Sequence, residues 1–161
     1  MTKILFVCLG NIIRSQIAEA VFKDMVLKED LEDKIYVDSA GTSGMHDGDY
    51  PDPRTIKLLE THGLNNYSKS RKITTSDIET FDYILAMDRM NLNDINSFIT
   101  PNLTSESTIR LLRQYSKGSD EEEITDPYYG TNEDFENTYK IIEESLRGLL
   151  NYLKKHYNLG I

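Results

Sequence analysis

The sequence predicts an α/β fold built on a parallel sheet. A short apolar run over residues 3–8, rich in Ile, Leu, Phe and Val, is typical of a strand covered on both faces. Apolar residues then recur at helical spacing from Ile17 to about Glu29. A long amphipathic segment over residues 135–156 predicts a closing helix. Strands that alternate with helices in this way favour a parallel sheet with right-handed crossovers.

Three further segments are strand candidates. Residues 34–38 (KIYVD) and 81–87 (FDYILAM) are short and rich in β-branched or aromatic residues. Residues 109–112 are a fourth candidate, where the pattern favours a helix almost as much as a strand. Sites in parallel sheets lie beyond the carboxyl ends of the strands, so we expect the functional residues at that edge.

Two shorter helices are predicted between the strands. Residues 53–62 carry apolar residues on one side and stop before Gly63, a residue that commonly ends helices. A second amphipathic stretch follows the strand at 81–87 and runs through Leu92, Ile95 and Phe98.

Length and composition predict one globular domain over residues 1–161 in a cytoplasmic location. The chain is 39% hydrophobic and 28% charged, which is typical of a soluble globular protein. Its apolar run at residues 4–9 is too short to cross a bilayer, and a secretory signal pattern is lacking, so no membrane association is expected. The single cysteine leaves no internal disulfide, which favours a reducing compartment.

The formal net charge of -9 argues against a nucleic-acid partner, because binding to phosphates requires clustered Lys and Arg. An anion site in this chain would need positive potential from backbone amides and one or two arginines, against the overall field. The acidic run at residues 120–123 predicts a solvated loop.

The segment CLGNIIRS, residues 8–15, has the pattern of an anion-binding loop between the first strand and the first helix. Gly10 and Asn11 tolerate positive φ, so the backbone can curl and point its amides at a tetrahedral oxyanion. Arg14 can close this ring with a two-pronged contact. The helix start and the arginine would favour the thiolate of Cys8, and Ser15 is placed to donate a hydrogen bond to its sulfur.

Alternative interpretations of this loop are weaker. A lone cysteine such as Cys8 is most often a buried thiol, but its spacing to Arg14 and its strand-to-helix position favour a nucleophile. Ser15 could instead cap the helix, although Ala18 stands where a reciprocal capping box needs Glu or Gln. A dinucleotide-binding glycine pattern is absent from the sequence.

The chain resembles the low-molecular-weight protein tyrosine phosphatases over essentially its whole length. The resemblance rests on VCLGNIIRS at 7–15, DSAGTSG at 38–44, FDYILAMD at 81–88 and DPYYG at 126–130. It implies a four-stranded parallel sheet flanked by helices on both faces, with a flavodoxin-like architecture. It also implies hydrolysis of phosphotyrosine through a cysteinyl-phosphate intermediate, without metal or cofactor. The implied partners are phosphotyrosine-containing proteins or peptides, and the implied state is a monomer or weak dimer.

The resemblance also implies the roles of individual residues. Cys8 would be the nucleophile, Arg14 would bind the transferring group, and Asp126 would act first as acid and then as base. Asp126 could otherwise simply begin a turn, as Asp-Pro often does. The resemblance implies that Asn11, Ser15 and Ser39 brace the loop through hydrogen bonds. The implied substrate-binding residues are Leu9, Gly10, Asn11, Ile12, Ile13, Ser15, Met45, Tyr128 and Tyr129, with core packing of one tyrosine as the alternative.

Several positions depart from the family pattern. Ile13 stands where the family usually has a second cysteine, so oxidised Cys8 cannot be trapped in an internal disulfide. Gln16 replaces a proline, Met45 an aromatic residue, and Ser68 the histidine of mammalian relatives.

Three rival functions are less well supported by the sequence. Arsenate reduction needs a relay of cysteines that the chain lacks. Phosphoarginine hydrolysis is associated with threonine where this chain has Ile12. A binding module without turnover would be expected to lack the nucleophile, the arginine or the acid, but Cys8, Arg14 and Asp126 are all present.

Overall fold

Four parallel strands form one sheet in the order β2–β1–β3–β4 in the computed structural model, which describes residues 1–103, 105–118 and 120–159. The predicted α/β fold with a four-stranded parallel sheet is therefore confirmed. The strands are β1 at Thr2–Cys8, β2 at Ile35–Gly41, β3 at Tyr83–Ala86 and β4 at Thr108–Leu111.

Helices connect the strands and complete the fold. They are α1 at Arg14–Lys28, α2 at Pro53–Thr61, α3 at Thr75–Thr80, α4 at Arg89–Ser97 and α5 at Asn132–His156, with a 3-10 helix at Leu112–Tyr115. α5 begins three residues before the predicted start because Thr131 and Asp134 form a reciprocal capping box. Across the described ranges, no helix combines the length and apolar composition needed to cross a membrane.

Helices cover both faces of the sheet, as predicted. Successive β1 side chains point to opposite faces, so this strand contributes to two separate cores. On one face Phe6 packs against α1, where its ring meets that of Phe22 edge-on at 5.6 Å, and α5 completes that cluster. On the other face Leu5 packs with Ile78 of α3 and Ile95 of α4.

Other elements also differ from the prediction. β2 runs on to Gly41, three residues past the predicted end, and so reaches the site. The ambiguous segment at 109–112 is a strand through Leu111 that passes directly into the 3-10 helix, so both interpretations were partly correct. α3 was not predicted, because six residues are too few to establish a helical period.

The sheet places the carboxyl ends of β1 and β3 side by side. Val7 pairs with Ala86, and the Met87 N–H donates to the Val7 carbonyl at 3.2 Å. α1 leaves β1 toward one face and α4 leaves β3 toward the other, which opens a crevice between the two connections. The predicted site residues Cys8 and Arg14 lie at this point.

Candidate active site

The carboxyl end of β1 opens into a cleft of about 250 Å³. One wall is the β1–α1 loop, residues 8–15, and another is the segment at residues 124–131, which we call the Asp126 loop. The lining residues are Cys8, Leu9, Gly10, Ile12, Ile13, Arg14, Met45, His46, Asp126, Tyr128 and Tyr129. The structure therefore brings together the predicted nucleophile, arginine, acid and aromatic residues.

Cys8 lines the cleft with only 3% of its surface exposed. The Asn11 N–H donates to the Cys8 sulfur at 3.3 Å, and the Ser15 hydroxyl oxygen lies 3.0 Å from it. Because the Ser15 oxygen already accepts a bond from the Asn11 side chain, its hydrogen is available for the sulfur. These two donors and the start of α1 at Arg14 therefore surround the sulfur.

Asn11 fixes the curl of the β1–α1 loop. Its φ is 55°, in the left-handed region that asparagine tolerates better than most residues. Its Nδ2 donates to the hydroxyls of Ser15 and Ser39 at 2.7 and 2.9 Å, and its Oδ1 accepts from the Arg71 N–H at 3.0 Å. Its carbonyl accepts from the Ser70 hydroxyl. Asn11 thus holds the loop to two other segments, β2 and residues 70–71.

Gly10 lies in this loop, and Gly41 lies where β2 passes it. Gly10 does not adopt positive φ, contrary to the sequence expectation, which only Asn11 fulfils. A Cβ at Gly41 would stand 2.7 Å from the Leu9 carbonyl oxygen, so glycine is required for β2 to pass this close to the loop. The Thr42 N–H then donates to the carbonyl of Cys8.

Arg14 is 3% exposed and held by acceptors on two sides. Its Nη1 donates to the Asp88 carboxylate at 2.7 Å and to the Ile124 carbonyl at 2.9 Å. Its Nη2 lies 3.6 Å from a carboxylate oxygen of Asp126. The guanidinium is therefore fixed in the cleft that Cys8 also lines, and it faces the carboxylate of the opposite wall.

Glu19 on α1 is fully buried behind the loop. Its Oε1 accepts from the hydroxyls of Ser39 and Ser68, and its Oε2 accepts from Lys23. Burial raises the pKa of Glu19, while Lys23 and the two hydroxyls act in the opposite direction. A chain of hydrogen bonds consequently runs from Glu19 through Ser39, Asn11 and Ser15 to Cys8.

Asp126 stands on an exposed loop, with 42% of its side chain accessible. Its Oδ1 accepts from the Tyr128 N–H at 3.1 Å. The loop is anchored at one end by the buried Ile124, whose N–H binds the main chain at the end of β3, and at its centre by the buried Pro127. The carboxyl group is therefore presented to the cleft and remains in contact with water.

The aromatic residues stand at the mouth of the cleft. Tyr128 is 43% exposed and Tyr129 97%, and their rings meet edge-on at 4.9 Å, so neither packs in the core. Met45 is exposed on another part of the rim, beside His46. A flat substrate group would meet these side chains on entering the cleft.

Three predicted residues lie behind the cleft rather than in it. Asn11, Ser15 and Ser39 are at most 1% exposed, and their side chains bind one another. This geometry agrees with the expected bracing of the loop. A contact between a bound group and Asn11 or Ser15 would come from main-chain atoms.

Sequence reasoning missed several residues of the site. In the sequence alone Asp88 cannot be distinguished from a surface acid, yet it binds Arg14 and caps α4 together with Asn91. A usable signal was its position between a strand and a helix. Gln16 carries a bridge, since its amide donates to the Asn11 carbonyl and accepts from the Ser68 N–H. The acidic run at residues 120–123 is predicted to be a solvated loop, but Glu122 and Glu123 also form ion pairs with Arg89.

The cleft joins a nucleophile, a fixed cation and a carboxyl group. This set can bind a tetrahedral oxyanion, attack its central atom through sulfur and transfer a proton to or from the departing group. In the part of the chain that the structure describes, no group of three or more His, Cys, Asp or Glu residues is placed to hold a metal ion.

Comparison with known proteins gives a consistent result. A family model described as low molecular weight phosphotyrosine protein phosphatase matches residues 3–159. The protein of that name from Sus scrofa is 43% identical over 147 residues, covering 91% of this chain and 92% of the relative. A protein tyrosine phosphatase structure from Entamoeba histolytica superposes with a TM-score of 0.90 at 34% identity, covering 98% of this chain and 99% of the other. A Drosophila arginine phosphatase structure superposes with a TM-score of 0.88 at 38% identity, covering 95% and 98%.

Proposed function

This chain belongs to the low molecular weight phosphotyrosine protein phosphatase family, and on that premise we propose how its cleft hydrolyses phosphotyrosine. It is a cysteine-dependent protein tyrosine phosphatase that acts on phosphoprotein substrates. Cys8 is the nucleophile, Arg14 binds the phosphoryl oxygens, and Asp126 moves the protons. The observation that carries this assignment is the hydrogen-bonded Cys8 sulfur in one cleft with Arg14 and Asp126.

In the first step the Cys8 thiolate attacks phosphorus. The sulfur–phosphorus bond forms while the bond from phosphorus to the tyrosine oxygen breaks. Asp126 gives its proton to that oxygen, so tyrosine leaves as a neutral phenol. The hydrogen bonds from Ser15 and the Asn11 N–H support the assignment of Cys8 as a thiolate before attack.

In the second step water hydrolyses the cysteinyl phosphate. The Asp126 carboxylate takes a proton from the attacking water, and the phosphorus–sulfur bond breaks to release phosphate and restore the thiolate. The Ser15 hydroxyl is placed to stabilise the departing sulfur. The exposure of Asp126 supports this role, because water can reach the carboxylate that the first step leaves behind.

Arg14 and the amides of the β1–α1 loop bind the equatorial oxygens of the transferring group. Asp88 and the Ile124 carbonyl hold the guanidinium in place from behind, so little ordering remains when phosphate arrives. Tyr128, Tyr129 and Met45 are assigned to the substrate ring, and Ile12 adds an apolar contact inside the cleft.

Phosphoarginine is a second candidate substrate. The similarity to the Drosophila arginine phosphatase, at 38% identity over 95% of this chain, favours its inclusion. The apolar Ile12 in the cleft wall and the two tyrosines at its mouth favour the aryl ester. We therefore assign phosphotyrosine as the preferred substrate.

The test compares matched peptides that differ only in carrying phosphotyrosine or phosphoarginine. We expect a higher kcat/KM for phosphotyrosine, with activity abolished by Cys8→Ser. The variant should still bind the phosphorylated peptide, because Arg14 and the loop amides remain. A higher kcat/KM on phosphoarginine would reverse the substrate assignment, and turnover by Cys8→Ser would refute the nucleophile.

A further inference from the structure

Arg54, in the first turn of α2, forms hydrogen bonds through all three nitrogens of its guanidinium group. Its Nε and Nη2 bind the two carboxylate oxygens of Asp52 at 3.1 and 2.8 Å, and its Nη1 donates to the Tyr128 carbonyl at 2.7 Å. The guanidinium also lies 5.2 Å from the ring centroid of Tyr128 and 4.8 Å from that of Phe135. A forked and stacked arrangement of this kind depends on arginine.

Tyr128 transmits this contact to Asp126. The main chain of Tyr128 accepts from Arg54 through its carbonyl and donates to Asp126 Oδ1 through its N–H. Within the described part of residues 126–130, Arg54 is the only side chain from outside the segment that hydrogen-bonds the main chain. The position of the Asp126 carboxyl group therefore depends on where Arg54 holds Tyr128.

Asp52, the partner of Arg54, is in turn bound to the β1–α1 loop. The Asp52 N–H donates to the Ile12 carbonyl at 3.1 Å, and the Thr55 hydroxyl donates to the same oxygen at 2.9 Å. The hydrogen bond from Arg54 keeps the pKa of Asp52 below its ordinary value. Asp52 thus stays ionised, and the link to Arg54 persists, in mildly acidic solution.

We propose that Arg54 is a positioning residue that holds the Asp126 carboxyl group at the correct distance from the β1–α1 loop for proton transfer. Arg54 does not itself line the cleft and acts through Tyr128, which does. The inference rests on the proposed function, because it requires Asp126 to be the general acid. Small displacements of such a group reduce the rate strongly, since proton transfer needs hydrogen-bond distance.

The test uses two substrates that depend differently on the acid. Phenyl phosphate has a poor leaving group that needs a proton, whereas 2,4-dinitrophenyl phosphate has one that leaves without it. We expect Arg54→Met to lower kcat/KM on phenyl phosphate by about tenfold, and on 2,4-dinitrophenyl phosphate by less than about twofold. Asp126→Ala should show the same preference with a larger loss, on the order of 10²-fold.

The double variant Arg54→Met/Asp126→Ala identifies the route of the effect. If Arg54 acts through Asp126, adding Arg54→Met to Asp126→Ala changes kcat/KM on phenyl phosphate by less than about twofold. Asp52→Asn is a second variant, because asparagine can still cap α2 while it weakens the fork that orients Arg54. Asp52→Asn should lower kcat/KM less than Arg54→Met does, and again more on phenyl phosphate than on 2,4-dinitrophenyl phosphate. Lys57→Met, an exposed change one turn along α2, is the control and should leave both substrates unaffected.

The outcomes separate this inference from the proposed function. Equal losses on both substrates, or a loss that persists in the Asp126→Ala background, would refute the positioning role while leaving the acid assignment intact. Unchanged hydrolysis of phenyl phosphate by Asp126→Ala would refute the acid, and the inference with it. Two results together support both proposals. Arg54→Met loses activity on phenyl phosphate only, and adding Arg54→Met to Asp126→Ala causes no further loss.

Discussion

The β1–α1 loop is held from the interior of the protein, whereas the Asp126 loop crosses its surface. Asn11, Arg14 and Ser15 are at most 3% exposed, and their partners come from β2, α1 and the ends of other strands. Asp126, in contrast, is 42% exposed and Tyr129 97%. The nucleophile and the acid thus belong to regions with very different support.

This difference separates the two halves of the chemistry. The oxyanion-binding loop is formed by folding itself, because its hydrogen bonds come from core elements and exist before substrate arrives. The position of the acid depends on a few surface contacts that can be loosened without unfolding the protein. Substitutions in the first region should therefore alter stability and activity together, and those in the second should alter activity alone.

Within the Asp126 loop, the largest effect is expected from Asp126→Ala. Loss of the acid should lower kcat on a phosphotyrosine peptide by about 10²- to 10³-fold, with little change in substrate binding. Unfolding in urea should be almost unchanged, because the side chain is exposed.

Glu133→Ala, which removes an exposed acid from the first turn of α5, is the matched control for lost charge. A loss in Asp126→Ala that appeared mainly as weaker binding would contradict the acid assignment. A large fall in stability would contradict the contrast between the two loops.

Asn11→Ala tests the interior region. It removes the bonds to Ser15 and Ser39 and leaves alanine at a φ of 55°, so the free energy of unfolding should fall by about 3 kcal/mol. Asn11→Gly restores the backbone freedom and should recover about 1 kcal/mol of that loss. Urea unfolding and kcat should decline together in both variants, and full stability with lost activity would oppose the account.

Glu19→Gln should give the smallest effect, seen in the pH dependence of stability. Burial raises the pKa of Glu19 in the folded state, so its favourable contribution is complete below the ordinary value of 4.5 and is lost as pH rises through the raised one. Relative to wild type, Glu19→Gln should therefore gain stability as pH increases through this window.

Urea unfolding at several pH values measures this trend, with Glu32→Gln as the exposed control. A stability difference between Glu19→Gln and wild type that stayed constant across pH would show that Glu19 does not titrate differently in the folded protein.

Local patterns explain what could be predicted from the sequence. β1 is a continuous apolar run, and apolar residues recur at helical spacing through α1, so both elements could be recognised. The residue types of the β1–α1 loop are adjacent in the chain and could be recognised as well. β4 has four residues, three of them at least partly exposed, and so lacks a decisive pattern. Element type was readable wherever a segment was long enough to bury one face.

The site residues that were not predicted from the sequence contact partners that lie far away along the chain. Asp88 lies 74 positions from Arg14, and Arg54 lies 74 positions from Tyr128. A charged side chain gives no sign of such a partner in a single sequence. Gln16 and Glu19 were likewise hidden, because their burial depends on how α1 packs against segments far along the chain.

The most direct test of the proposed site is the protection of Cys8 from iodoacetate by phosphate or vanadate. Because the chain has one cysteine, all alkylation seen by mass spectrometry reports this residue. We predict that either anion slows the alkylation strongly, because it occupies the β1–α1 loop and covers the sulfur. Alkylation at the same rate with and without both anions would show that this loop does not bind a phosphate-like group at Cys8.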